Sequence, residues 1–103
     1  MTTGKISAVC GVAGSAFPAI KPGTTQNVAV GAASVQSAAI GGIVVRLVST
    51  TDCHILFGAN PTALATSMFL PAKLPEYFVC AVTDKVAVIQ DAAGGNLSIT
   101  PAL

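Results

Sequence analysis

From residue 43 to residue 100 the chain is a succession of short runs rich in Val, Ile, Phe and Tyr. Gly, Pro, Asn or Asp interrupts them about every eight to twelve residues, which is the spacing of short strands and turns. The runs are Ile43-Val44-Val45-Arg46-Leu47-Val48-Ser49, then Cys53-His54-Ile55-Leu56-Phe57-Gly58 after a turn at Thr50-Thr51-Asp52. Ser67-Met68-Phe69-Leu70-Pro71-Ala72 follows a loop over residues 59–64, and Glu76-Tyr77-Phe78-Val79-Cys80-Ala81-Val82 follows Pro75. Lys85 to Asp91 and Asn96 to Thr100 complete the series. Apolar runs this short cannot lay a buried stripe along a helix, but they can cross a sheet. The expected class is all-β: an antiparallel β-sandwich or jelly-roll-like domain of about seven to nine strands, with an extended N-terminal segment.

Pro61, Pro71 and Pro75 cannot donate to a sheet ladder, so they belong in loops or at edges. Gly94-Gly95-Asn96 between two β-type runs predicts a terminal hairpin. Alternation is imperfect in the second half. Tyr77, Val79 and Ala81 would face one way and Phe78, Cys80 and Val82 the other, and Cys53, Ile55 and Phe57 would oppose His54 and Leu56. Both sides are apolar, which is expected of strands whose outer face is covered too.

Residues 1–23 are rich in Gly, Ala and Ser, with Pro18 and Pro22. They read as an extended arm or a first strand, with β-type character at residues 6–12, and residues 24–103 as the sandwich domain. Within 24–40, Gly31, Gly41 and Gly42 crowd an Ala-rich stretch and no capping box opens it, so two strands joined at residues 31–34 are expected rather than a helix.

The chain is 52% hydrophobic but only 9% charged, against roughly 25% charged in an ordinary soluble domain. Four acids and five bases are few for keeping a small monomer dispersed. Much of the surface is therefore expected to be covered by copies of the chain or by another protein, since interface cores are depleted in charge. Lys5, Lys21, Arg46, Lys73 and Lys85 are scattered singly, which argues against nucleic acid. The most apolar window, residues 38–48, is broken by Gly41-Gly42 and Arg46 and falls short of the roughly 20 residues a membrane helix needs. No membrane partner and no cleaved signal peptide are expected. The three cysteines, Cys10, Cys53 and Cys80, are odd in number and widely spaced. They read as reduced, half-buried small hydrophobes rather than a disulfide framework.

No catalytic set is legible. His54 is the single histidine, and Asp52 two residues away would share its strand face. No Gly-x-Ser-x-Gly supplies an activated serine. Cys53 and His54 are adjacent, so they leave a strand on opposite faces and do not make a metal site. His54 reads as structural or surface. Glu76, Asp84 and Asp91 are isolated acids at run or turn ends. Gly94-Gly95 does not lead into a helix, so phosphate binding has no basis. No enzyme, cofactor or metal is expected. The stretch Phe69, Leu70, Pro71, Leu74, Tyr77 and Phe78 reads either as an irregular connection or as an apolar protrusion docking on a neighbouring subunit, and these six are the candidate interface residues.

The order Val45 to Ile55, Gly58-x-Asn60-Pro61-x-Ala63, Ser67 to Ala72, Glu76-Tyr77-Phe78 and Lys85-Val86-Ala87-Val88-Ile89 resembles small virion structural proteins of tailed bacteriophages. In these, an Arg-x-x-x-Thr-x-Asp strand (here Arg46, Thr50 and Asp52) precedes Gly-x-x-Pro-x-Ala and Leu-Pro-Ala. An aromatic pair, a Lys-Val-Ala-Val-Ile strand and, after a Gly turn, a last strand of the form Leu-x-Val/Ile-Thr follow. The resemblance covers residues 43–100, and its motifs are structural rather than catalytic. It implies a β-sandwich capsid decoration, or cement, protein in the virion, made in the host cytoplasm. Its partners would be the major capsid protein and copies of itself, as a homo-oligomer, expected to be a trimer. A head–tail or tail component fits the same residues. A carbohydrate-binding module is a further alternative, but four Phe, one Tyr and no Trp leave few rings for sugars to stack on.

Overall fold

A computed structural model describes residues 19–103. The β-type character expected at residues 6–12 lies outside the described residues. Within them the protein is all-β, with eight strands: β1 (Gln26–Val30), β2 (Val35–Gln36), β3 (Val44–Ser49), β4 (Cys53–Gly58), β5 (Met68–Leu70), β6 (Glu76–Val79), β7 (Lys85–Gln90) and β8 (Gly95–Pro101). They form two antiparallel sheets of four, ordered β1-β8-β3-β6 and β2-β7-β4-β5. The expectation of two strands within residues 24–40 is met by β1 and β2, although β2 is only two residues long. Pro61, Pro71 and Pro75 all fall in connections.

Alternation places the core. In β3, Val45 and Leu47 are fully buried while Val44, Arg46 and Val48 stay half-buried on the outer side. In β8, Leu97 and Ile99 face inward with no exposed surface. The facing sheet contributes Cys53, Ile55, Leu70, Val86 and Val88 to the same cluster. The two sheets thus share one apolar interior in a sandwich-like arrangement. Burying each large aliphatic side chain there contributes about 1.5–3 kcal/mol.

Register explains why these strands meet. β3 sits centrally, with Leu47 opposite Ile99 of β8 on one side and Glu76 of β6 on the other. In the second sheet Ile55 of β4 lies between Val88 of β7 and Met68 of β5. The second half of the chain corrects one expectation. Residues 91–94 do not close a hairpin, because β7 and β8 belong to different sheets. Leu97 and Ile99 gain more by lying between the apolar faces of β1 and β3 than by pairing back on β7. The connection passes so near the end of β1 that a Cβ on Gly94 would come within 2.8 Å of the Val30 carbonyl oxygen. Only β4 and β5 are both consecutive and paired.

Residues 21–23 run along the end of β8. The Gly23 amide donates to the Pro101 carbonyl at 2.7 Å and the Leu103 amide to the Lys21 carbonyl at 2.8 Å. The Ala102 amide donates to the carbonyl of Val44, the first residue of β3, at 2.8 Å, so residues 21–23 and 101–103 lie together beside the start of β3.

Candidate functional surface

The six candidate interface residues divide once the sheets form. Leu70 pairs with Cys53 and is fully buried, so its side chain belongs to the core. Phe78 packs against the core and meets Phe57 of the facing sheet with ring centroids 5.4 Å apart. Pro71 is half-buried. Phe69, Leu74 and Tyr77 are exposed. They do not make one patch: Phe69 lies on β5 and Tyr77 on β6, the edge strands of different sheets, and Leu74 is in the connection between them.

The outer face of the first sheet changes character from one edge to the other. Around β1 and β8 it is polar. Asn27 accepts from Asn96 at 3.1 Å and from Ser98 at 3.0 Å, and the Thr25 and Thr100 hydroxyls are 2.7 Å apart. Towards β6 it turns more apolar, because Val44 lies opposite Val79, while Arg46 opposite Tyr77 keeps one charge on it. Val79 is 84% exposed on an edge strand whose second side has no pairing strand among the described residues. Exposed edges carrying apolar side chains are sites where further chains pair or pack. Ile43 and Val82, both more than half exposed, continue the surface at the same end. The Cys80 amide donates to the Ile43 carbonyl at 2.9 Å and Gly41 to Val82 at 2.9 Å, which fixes these loops beside β6. That Tyr77 and Val79 share a face was legible, but not that this face is the outer one, and Val79 was not among the six candidates. Ile43 and Val82 were not singled out, since their place beside β6 depends on strand pairing.

His54 makes a different arrangement from the one its neighbours in sequence suggested. Asp52 is occupied elsewhere, accepting the Ala72 amide at 2.8 Å. The partner of His54 is Asp91, with Nε2 2.9 Å from Oδ1. Nδ1 is 2.9 Å from the Ser67 carbonyl oxygen. The second ring nitrogen therefore meets a carbonyl, not the hydroxyl a nucleophilic triad requires. The Ser67 hydroxyl instead accepts the Leu64 amide at 3.0 Å. Hydrogen bonds to Asp91 and then to Ser67 raise the His54 pKa above its usual value, against a smaller opposing effect of desolvation.

Cys53 and Cys80 are free thiols, the first buried and the second half-buried. Burial pushes both up from the ordinary thiol range. At Cys53 a hydrogen bond with Ser49 acts the other way, and Asp84 adds to the rise at Cys80. Among the described residues no group of three or more His, Cys, Asp or Glu is placed to hold a metal ion. No helix of the described residues is long and apolar enough to cross a membrane. Compared with protein-family models, curated proteins and solved structures, the chain finds no match in any of the three.

Proposed function

We propose that the protein is a non-enzymatic structural subunit of a tailed-bacteriophage particle, a capsid decoration or cement protein that acts by contacts with the major capsid protein and with copies of itself. The observation that carries this is the apolar outer surface around Val44, Tyr77, Val79, Ile43 and Val82 on a chain only 9% charged. An isolated monomer leaves that surface in water, whereas an assembly buries it. The motifs of residues 43–100 that resemble small phage virion proteins supply the choice of assembly.

The strand order supports a jelly-roll winding within the two-sheet fold. β1 pairs with β8, β2 with β7, β3 with β6 and β4 with β5. That is the nesting produced when one long hairpin is rolled into two sheets. Jelly rolls occur in viral capsid subunits and also in lectins, so the winding alone does not select a function. The surface chemistry favours the capsid reading over a lectin, since Phe69 and Tyr77 are single aromatics on different sheets rather than a stacking platform.

The test is quantitative mass spectrometry of the purified particle, giving copies of this chain per major capsid protein. A ratio near one, or a simple fraction of it, is the expected result. A small fixed number, as a single closed ring would give, would move the protein to the head–tail junction or tail. Absence from the particle would overturn the virion assignment and bring the carbohydrate-binding module forward.

A further inference from the structure

We propose that residues 59–67 form a strap over the outer face of the β2-β7-β4-β5 sheet, and that a doubly protonated His54 ring is the latch that holds it down.

The strap leaves β4 after Gly58 and crosses towards β2. Val86 and Val88 face the core, so Ala87 and its neighbour Gln36 point to the outer side. Gln36 Nε2 donates to Asn60 Oδ1 at 3.1 Å, and the Ala63 amide donates to the Ser34 hydroxyl at 2.8 Å. Ala63 is 1% exposed and Ala87 fully buried, although Ala87 faces away from the core. The chain then turns back, with the Leu64 amide on the Ser67 hydroxyl and the Ser67 amide on the Leu64 carbonyl at 2.9 Å. It returns over His54, where the Ser67 carbonyl meets Nδ1.

A carbonyl only accepts, so Nδ1 must carry a proton to hold it. An ionised carboxylate also only accepts, so Nε2 must carry one to hold Asp91. Both bonds exist together only in the imidazolium. A neutral ring keeps one and sets a lone pair against the other acceptor. The charged group at the ring is Asp91 from the β7–β8 connection; Asp52, two residues earlier and just before β4, is engaged by Ala72. From β5 the Phe69 ring packs at its edge with centroids 5.5 Å apart, and from β7 the residue opposite is the uncharged Ile89. His54–Asp91 is the one ion pair among the described residues.

The sign follows from linkage. The His54 pKa is raised in the folded protein. The latch is therefore fully closed below the unfolded value of about 6.5 and released as pH rises through the folded value.

The experiment is amide hydrogen exchange of the intact chain by NMR from pH 5.5 to 9, corrected for intrinsic exchange, with His54 titrated in the same samples. The expected result is that protection at Ala63 and Leu64 falls about tenfold with the midpoint of the His54 titration, above about 6.5, while ladder amides of β7 keep theirs. Asp91→Asn should lower both midpoints together, and His54→Gln should leave Ala63 and Leu64 weakly protected at every pH. Protection at Ala63 and Leu64 that ignores the His54 titration, or that falls only in step with the β7 ladder, would overturn the proposal. A His54 midpoint at or below 6.5 would do the same.

Discussion

The Ser37 hydroxyl accepts the Val86 amide at 3.0 Å and donates to the Ala38 carbonyl at 2.7 Å. The Ser37 amide in turn donates to the Val86 carbonyl at 2.9 Å. Ser37 is 6% exposed and Val86 fully buried, so no water competes for these groups. β2 is two residues long, and this side chain takes the place of the next rung of its ladder. Ser37→Ala leaves the buried Val86 amide without its acceptor, which costs about 1–3 kcal/mol. Urea denaturation should show a lowered midpoint at unchanged slope. A loss below about 0.5 kcal/mol would mean that the amide finds another partner.

Phe57 of β4 and Phe78 of β6 join the two sheets, their rings tilted by 47°. Neither is fully buried, so Phe57→Ala should cost less than the roughly 3–5 kcal/mol of a fully buried ring, about 2 kcal/mol. Because each ring is the other's neighbour, the Phe57→Ala and Phe78→Ala losses should fall short of additive by about 0.5–1.5 kcal/mol in a double-mutant cycle. Strict additivity would show that the rings pack on the core separately.

These two relationships also mark where sequence stops informing. The strand runs that carry Val45, Leu47, Ile55, Val86 and Val88 were legible because they are bounded by turn residues, but with apolar residues on both sides of several runs their inward faces were not. Nor was the partner of each strand. Gly94-Gly95-Asn96 has hairpin chemistry, yet β8 pairs with β1 and β3 because that buries Leu97 and Ile99 on both sides. The same blindness affected His54. Asp52 is near it in sequence, but β4–β7 register puts Ile89 opposite His54 and so brings Asp91, two residues on, to the ring. Leu70 and Phe78 looked like surface candidates because a three-residue strand and an edge strand give too little period to tell inside from outside.

Cys53 offers a readout of folding that needs no new side chain. It is fully buried and its thiol pKa is raised chiefly by that burial. The thiolate is the reactive form, so both access and ionisation oppose modification. In native protein at neutral pH, a maleimide pulse followed by peptide mass mapping should leave Cys53 unlabelled and Cys80 slow. Both should react fully in denaturant. Rapid native labelling at Cys53 would mean that β4 and β5 separate readily, since the thiol lies against the Leu70 carbonyl.

Val79 separates the demands of folding from those of assembly. Its side chain is 84% exposed on the edge of the first sheet, and among the described residues only Val44 lies opposite it. A charge placed there enters water and breaks no core contact, so Val79→Asp should alter stability by no more than about 0.5 kcal/mol. In an assembly that buries this surface, the same carboxylate would be desolvated without a partner, which costs several kcal/mol. Sedimentation of the wild-type chain at micromolar concentration should therefore show self-association, and Val79→Asp should shift it to monomer while the denaturation midpoint stays put. If the wild-type chain is already a monomer, or the variant assembles unchanged, contacts between copies through this face are ruled out. Under the proposed function the apolar strip would then face the major capsid protein, and Val79→Asp should abolish incorporation into particles without changing solution behaviour.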